Sequence, residues 1–107
     1  FFEGSCRVTG VDKPELLIAS HIKPWATSDN EERLNGHNGL FLSPHVDKLF
    51  DSGFISFENT GKILVSPSLD KSVLDRWSID PQSKVKTFGG EQAYFLETHR
   101  RAVFRAA

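Results

Sequence analysis

The sequence predicts an α+β protein built as one small domain of 107 residues. Three patterns favour this class: short apolar runs bounded by turn residues, a helix with clear start chemistry, and a longer amphipathic helix near the C-terminus. A chain of this length forms a single core and buries roughly two-thirds of the surface that its unfolded state exposes. The whole chain, residues 1–107, is therefore treated as one domain.

The N-terminal part predicts a strand followed by a loop. Residues 5–9 are expected as a short strand or turn closed by Gly10, and residues 11–15 as a connecting turn. Leu16–Ser20 is predicted as a buried strand, because a continuous apolar run follows a proline-containing turn. Residues 23–37 are rich in polar and turn-forming types and are expected as a long loop. Such loops are uncommon in compact domains and are often functional.

A second strand and a helix come next. Gly39–Leu42 is predicted as a strand, and the helix after it begins with Ser43 as N-cap and Pro44 at the first helical position. The apolar stripe of this helix has the spacing i, i+3, i+4 and consists of Val46, Leu49 and Phe50.

The C-terminal half predicts a hairpin and two further helices. Residues 54–57 and 62–65 are expected to pair through a glycine-containing turn at residues 59–61. Residues 66–77 are expected to be helical, and residues 80–90 to form an extended loop anchored by Val85 and Phe88.

The last predicted helix is Glu91–Arg105. Its expected buried residues are Tyr94, Phe95, Val103 and Phe104. Its expected outward-facing residues are Arg100, Arg101 and Arg105.

Composition excludes several classes of protein. A net charge of −1 and a pI near 6.5 argue against a protein that coats nucleic acid through bulk charge. No apolar stretch approaches the ~20 residues that cross a bilayer, so no membrane span is expected. The single cysteine, Cys6, excludes an internal disulfide and a four-cysteine zinc site, and favours a cytoplasmic setting. The start at Phe1-Phe2-Glu3 lacks a methionine and a signal pattern, so an N-terminal domain of a longer protein is expected to be missing.

Two aspartates form the first candidate site. Asp47 and Asp51 are one helical turn apart, so both carboxylates project from one helix face. Like charges at this spacing destabilise a helix, and a divalent cation between them would relieve the repulsion. The alternative is that both are solvated, with Asp51 only ending the helix.

A histidine and an asparagine flank the predicted loop. His21 follows the first apolar strand, and imidazole titrates near neutrality, as a general base that activates water must. A packed histidine bound to a carbonyl is the alternative. Asn38 precedes Gly39, a common turn pair.

The chain resembles the HNH endonucleases in the segments LLIASHIKPW and NGLFLSPHVDKLFDSGFISF, roughly from Cys6 to Phe57. The resemblance implies a ββα-metal core of the His-Me finger type, with an added β-hairpin and a C-terminal helix. It also implies hydrolysis of DNA phosphodiester bonds with one divalent cation, Mg²⁺ or Mn²⁺. In that family His21 matches the general base and Asp47 a metal ligand, with Asp51 a ligand in some members. The position of Asn38 is structural and fixes the loop between the strands.

Two departures from the family pattern matter. Ser20 stands where many members have an aspartate or histidine ligand, so fewer protein atoms and more water would hold the metal. Thr9 stands where the second cysteine of a Cys-x-x-Cys pair would be, so no structural zinc is expected. The remaining expected substrate contacts are basic side chains and one histidine: Lys23, His45, Lys48, Arg100, Arg101 and Arg105.

Two functions stay open at this point. A restriction-type endonuclease, with specificity supplied by the missing domain, agrees with the His21 and aspartate pattern. A catalytically lapsed module of the same fold that only binds nucleic acid is the alternative, since Ser20 removes one ligand. The sequence does not indicate an oligomeric state.

Overall fold

The computed structural model describes residues 4–106 and contains four short strands and four α-helices within them. The opening Phe1-Phe2-Glu3, on which the expectation of a missing N-terminal domain rests, lies outside the described residues, as does Ala107. The elements, in chain order, are β1 (Ile18–His21), α1 (Asn30–Leu34), β2 (Gly39–Leu42), α2 (Pro44–Asp51), β3 (Ile55–Phe57), β4 (Ile63–Val65), α3 (Ser72–Arg76) and α4 (Gly90–Ala102).

The first half forms the ββα arrangement that the sequence predicts. β1 and β2 pair antiparallel, with Ser20 opposite Leu40 and His21 opposite Gly39. α2 packs against β1 through a stripe whose members are buried: Val46, Leu49 and Phe50. The prediction of the strand Gly39–Leu42 and of this core stripe is confirmed.

The predicted hairpin is also confirmed, as the antiparallel pair β3 and β4. Its turn contains Gly61 with φ +96°, and a Cβ there would come within 2.0 Å of the Val85 carbonyl oxygen. Only glycine tolerates both the positive φ and this close approach. Val85 N–H in turn donates to Gly61 O at 2.8 Å, so the extended segment after α3 lies along the hairpin.

α4 closes the core from the other side. It packs on β3 and buries Phe95, Leu96 and His99. Arg7 lies in the turn before β1. Its guanidinium donates to Lys86 O at 2.6 Å and to Gln92 Oε1 at 2.9 Å. The segment around Arg7 therefore contacts the start of α4 and the loop before it.

Several boundary predictions are wrong. Leu16 belongs to a 3-10 turn and is 57% exposed, so the first strand begins at Ile18, which is itself 42% exposed. The expected loop at residues 23–37 holds a 3-10 turn at Trp25–Thr27 and the helix α1. α1 has a capping box in which Asp29 and Glu32 bond each other's backbone N–H groups.

One further prediction holds in part and two are wrong. Ser43 is the N-cap of α2, as predicted, but it makes no capping hydrogen bond because its hydroxyl pairs with Thr9 Oγ1 at 2.6 Å. Tyr94 is 63% exposed instead of buried. The helix expected at residues 66–77 is only the five-residue α3, and the turn before it is not helical.

Candidate active site

A cavity of about 260 Å³ opens between β1, the turn after it and one face of α2. It brings together four of the predicted site residues, His21, Ser20, Asp47 and Asp51. The rest of its lining is apolar or aromatic: Ile18, Ala19, Pro24 and Trp25.

His21 is placed by the end of β1. Its cross-strand partner is Gly39, which has no side chain to crowd the imidazole. The Nε2 atom lies 3.4 Å from the carbonyl oxygen of Arg33, at the end of α1, and the ring meets the Trp25 indole edge-on at 5.2 Å between centroids. α1 therefore orients the imidazole, which is half-buried and faces the cavity.

Asp47 and Asp51 project from one face of α2 into the same cavity. Burial raises the pKa of the Asp47 carboxyl above its ordinary value, and the negative charge of Asp51 adds to the rise. A hydrogen bond from the Ser20 hydroxyl opposes it. The pair thus holds concentrated negative charge at a partly dehydrated position, which a cation would stabilise.

Ser20 connects the strand to the helix. The residue is only 5% exposed and lines the cavity beside Asp47, and its hydroxyl lowers the pKa of the Asp47 carboxyl. His21 is the next residue along β1. The hydroxyl oxygen keeps lone pairs that can face a cation.

Asn38 lies behind the cavity and is fully buried. Its Oδ1 accepts from the Lys23 N–H at 2.8 Å, and its Nδ2 donates to Glu32 O at 3.2 Å. The side chain thereby joins the end of β1, the end of α1 and the start of β2. These bonds hold the loop that carries the Arg33 carbonyl.

The sequence model of the HNH endonuclease family matches residues 6–58. Residues 6–58 belong to the HNH endonuclease family. This membership indicates nuclease activity in general, and HNH nucleases generally use a divalent metal. No curated protein matches the chain.

The HNH segment offers oxygen donors for such a metal. Within residues 4–106, no three side chains of the His, Cys, Asp and Glu types stand together in a metal-binding group. The donors present at the cavity are two carboxylates and a serine hydroxyl, which are hard oxygen ligands. Mg²⁺ is often bound through one or two carboxylates with water completing its shell, so this set fits Mg²⁺ or Mn²⁺.

The predicted basic contacts lie outside the cavity lining. Lys23 Nζ pairs with Glu32 at 2.7 Å, and both side chains are partly buried. His45 meets the ring of Trp77 edge-on at 5.9 Å between centroids. Lys48 is exposed on α2.

The three arginines of the C-terminal segment are not equivalent. Arg100 donates to Phe57 O at 2.9 Å and is half-buried, so the expectation that it points out is wrong. Arg105 is exposed but donates to Ser52 O at 3.0 Å. Arg101 lies 3.7 Å from Glu97 on the exposed helix surface. The cavity lining includes none of the three.

Two features of the structure are not predicted by the sequence. One is the support of Trp25 by Arg33, whose guanidinium carbon lies 4.6 Å from the indole centroid. The other is His99, which is 1% exposed and stacks on Phe50 at 3.8 Å between centroids. The capping motif Asp29-x-x-Glu32 was the available signal for the helix that places Arg33.

Proposed function

We propose that this protein is a metal-dependent endonuclease that hydrolyses DNA phosphodiester bonds, with His21 as general base. The observation that carries the proposal is the shared cavity, in which an oriented imidazole faces two carboxylates of one helix. Family membership of residues 6–58 supports the choice of phosphodiester hydrolysis over other hydrolytic chemistry.

The chain's own residues have separate roles in this reaction. When the Nε2–H of His21 donates to the Arg33 carbonyl, the basic lone pair lies on Nδ1, which accepts the proton of the attacking water. Ser20 lines the cavity beside Asp47, and its hydroxyl favours the ionised carboxylate. Asn38 fixes the loop from which the Arg33 carbonyl projects.

Asp47 and Asp51, with Ser20 assisting, would hold Mg²⁺ or Mn²⁺. A bound divalent ion supplies Lewis-acid stabilisation of charge on the phosphate and the leaving oxygen. The expected products carry 5′-phosphate and 3′-hydroxyl ends. Lys23, His45, Lys48 and the arginines of the C-terminal segment remain proposed backbone contacts.

The rival is a catalytically lapsed module that binds nucleic acid without cutting it. Ser20 favours it, since a hydroxyl replaces a stronger ligand, and the described residues lack a three-member ligand group. A restriction-type role and a cytoplasmic setting are finer proposals. Comparing methylated with unmethylated plasmid tests the former, and locating the protein in fractionated cells tests the latter.

Plasmid nicking with magnesium, with and without EDTA, separates the two functions. We expect cleavage that EDTA abolishes. His21→Ala should lower the rate by about 10²-fold or more with nearly unchanged metal affinity, because general-base catalysis contributes on that order. His37→Ala, a histidine of the same loop region whose ring lies 3.8 Å from Glu91, is the matched control and should cleave normally.

A wild-type protein that binds DNA but never nicks it would establish the lapsed module instead. Cleavage by His21→Ala at the wild-type rate would remove His21 from the general-base role.

A further inference from the structure

Trp25 exposes a large aromatic surface at the rim of the catalytic cavity. The residue is 54% exposed, and it lines the same cavity as His21, Asp47 and Asp51. An indole in this position leaves much of its apolar area in water, which is unfavourable unless something covers it in the working complex.

The indole is not what holds the turn together. The Ser28 hydroxyl donates to Pro24 O at 2.9 Å, and Thr27 N–H donates to the same oxygen at 3.1 Å. Lys23 N–H is held by Asn38 at 2.8 Å. These polar contacts fix the backbone on both sides of Trp25, so bracing does not account for the exposed ring.

The indole is nevertheless held in one orientation. Arg33 donates from Nε to the Trp25 carbonyl at 3.0 Å while its guanidinium lies over the indole at 4.6 Å from the centroid. His21 packs edge-on against the same ring. Cation–π contacts of this kind contribute about 0.5–1 kcal/mol at exposed sites. The ring is thus supported from one side and presents the remainder of its surface to solvent.

We propose that Trp25 is a stacking platform for an unpaired nucleobase of the substrate, next to the phosphate that is cleaved. The inference rests on the proposed function and names its substrate class: DNA with an unpaired nucleotide at the cleavage site. A base inside a duplex has both faces covered by its neighbours, so only an unstacked base offers a face to the indole. Base–aromatic stacking is worth about 1–3 kcal/mol and is tolerant of sequence.

Tryptophan fluorescence tests the contact directly. The chain has two tryptophans, so replacing one leaves the other as the only reporter. Trp77→Phe leaves Trp25 as the reporter, and Trp25→Phe leaves Trp77, which is 40% exposed and lines no part of the cavity. With magnesium and a short oligothymidine in stopped flow, the Trp25 reporter should be quenched saturably before cleavage. The Trp77 reporter should be quenched much less, because Trp77 lines no part of the cavity. Equal quenching of both reporters, or none of Trp25, overturns the proposal.

Cleavage tests the substrate preference. The substrates are a fully paired duplex and the same duplex with one bulged nucleotide. We expect the wild type to prefer the bulged duplex, and Trp25→Ala to reduce that preference by roughly tenfold. Trp25→Phe should retain most of it because it keeps an aromatic face, and Trp77→Ala should leave it intact. An equal loss on both substrates would assign Trp25 a structural role and overturn the proposal.

The two arms separate this inference from the proposed function. Cleavage by the wild type with no quenching in Trp77→Phe refutes the platform alone. No cleavage by the wild type, with saturable quenching of Trp77→Phe by oligothymidine, refutes the endonuclease while Trp25 still binds an unpaired base.

Discussion

His99 couples the stability of the fold to pH. Its Nε2 contacts Phe50 O and its Nδ1 contacts the Ser56 hydroxyl, each at 2.8 Å, so the neutral ring bridges α2 and β3. Burial lowers the pKa of His99 to about 4 from 6.5, while the charge of Asp51 opposes the shift and that of Arg100 favours it. The unfolded chain therefore binds more protons than the folded one between these two values.

The contribution of His99 to the free energy of unfolding should therefore be constant above about pH 6.5. It should fall as the pH drops toward 4. The full loss is about 3 kcal/mol. Asp47 acts with the opposite sign, because its raised pKa favours the protonated folded state. Urea denaturation from pH 7 to pH 4 measures the slope. His99→Gln should flatten it and His37→Gln should not; an unchanged slope in His99→Gln would contradict the assignment.

The negative charge of Asp47 is expected to lower the free energy of unfolding. Its ionised carboxylate is half-buried and is repelled by Asp51. We expect Asp47→Asn to raise the free energy of unfolding in EDTA by roughly 0.5 kcal/mol, since the site is partly screened by solvent. We expect magnesium to raise the melting temperature of the native protein, and this rise should be lost in the variant.

Thermal melts with EDTA and with magnesium provide both numbers for Asp47→Asn. Asp51→Asn is the comparison, and its effect in EDTA should be smaller because Asp51 is exposed. A destabilised Asp47→Asn in EDTA would mean that Asp47 is stabilising without a cation.

The spacing of Asp47 and Asp51 predicted that they share one helix face, and the resemblance to the HNH endonucleases implied that His21 lies near them. The residue pattern could not indicate the burial of His99. A histidine beside Arg100 and Arg101 resembles an exposed helix face. Its partners Ser56 and Phe50 are 43 and 49 residues away, and only tertiary packing brings them to it.

The short helix α1 is an element that depends on its cap. It has five residues, too few for intrinsic stability, and Asp29 Oδ1 accepts from Glu32 N–H at 2.8 Å. Asp29→Ala should cost about 1 kcal/mol. Because α1 carries the Arg33 carbonyl beside His21, the same change should lower the cleavage rate.

Asp70→Ala is the matched control for that prediction. Asp70 Oδ1 accepts from Ser72 N–H at 2.9 Å at the start of α3, outside the cavity lining. Urea denaturation and nicking rates should show a comparable loss of stability for both variants and a loss of activity for Asp29→Ala only. Equal activity in the two variants would separate α1 from catalysis.

At the level of elements, β2 and α2 were predictable because each begins at a residue that is typical of an element boundary. These residues are Gly39 for β2 and Pro44 for α2. α1 was not, since five residues are too few to establish a 3.6-residue period. The start of β1 was misplaced because Leu16 is apolar yet belongs to a 3-10 turn begun by Pro14.

For the whole molecule, the arginines of the C-terminal segment divide into structural and surface residues. Arg100 and Arg105 bond carbonyls of the hairpin and of the end of α2. Arg100→Ala and Arg105→Ala should each lower the free energy of unfolding by about 1 kcal/mol. Arg101→Ala should leave it unchanged, because an exposed i,i+4 pair contributes little.

Urea denaturation measures the free energy of unfolding of the three arginine variants. If Arg101 contacts a phosphate, the salt dependence of DNA binding should become shallower by roughly 0.9 in Arg101→Ala. Lys71→Ala, an exposed lysine beside α3, is the control for a simple change in net charge. An unaltered slope in Arg101→Ala would place the DNA backbone elsewhere, with Lys23 and Lys48 the next to test.

Because Arg7 donates to Lys86 O and Gln92 Oε1, the segment that lines the cavity and the segment that folds as a unit have different boundaries. Every side chain that lines the cavity lies between residues 18 and 51. Yet the turn that precedes β1 finds its acceptors beyond residue 85. A polypeptide cut after residue 58 would carry every residue that lines the cavity but would lack the acceptors of Arg7. The HNH segment is therefore not expected to fold by itself. Transferring it to another scaffold would require the C-terminal half of the chain as well.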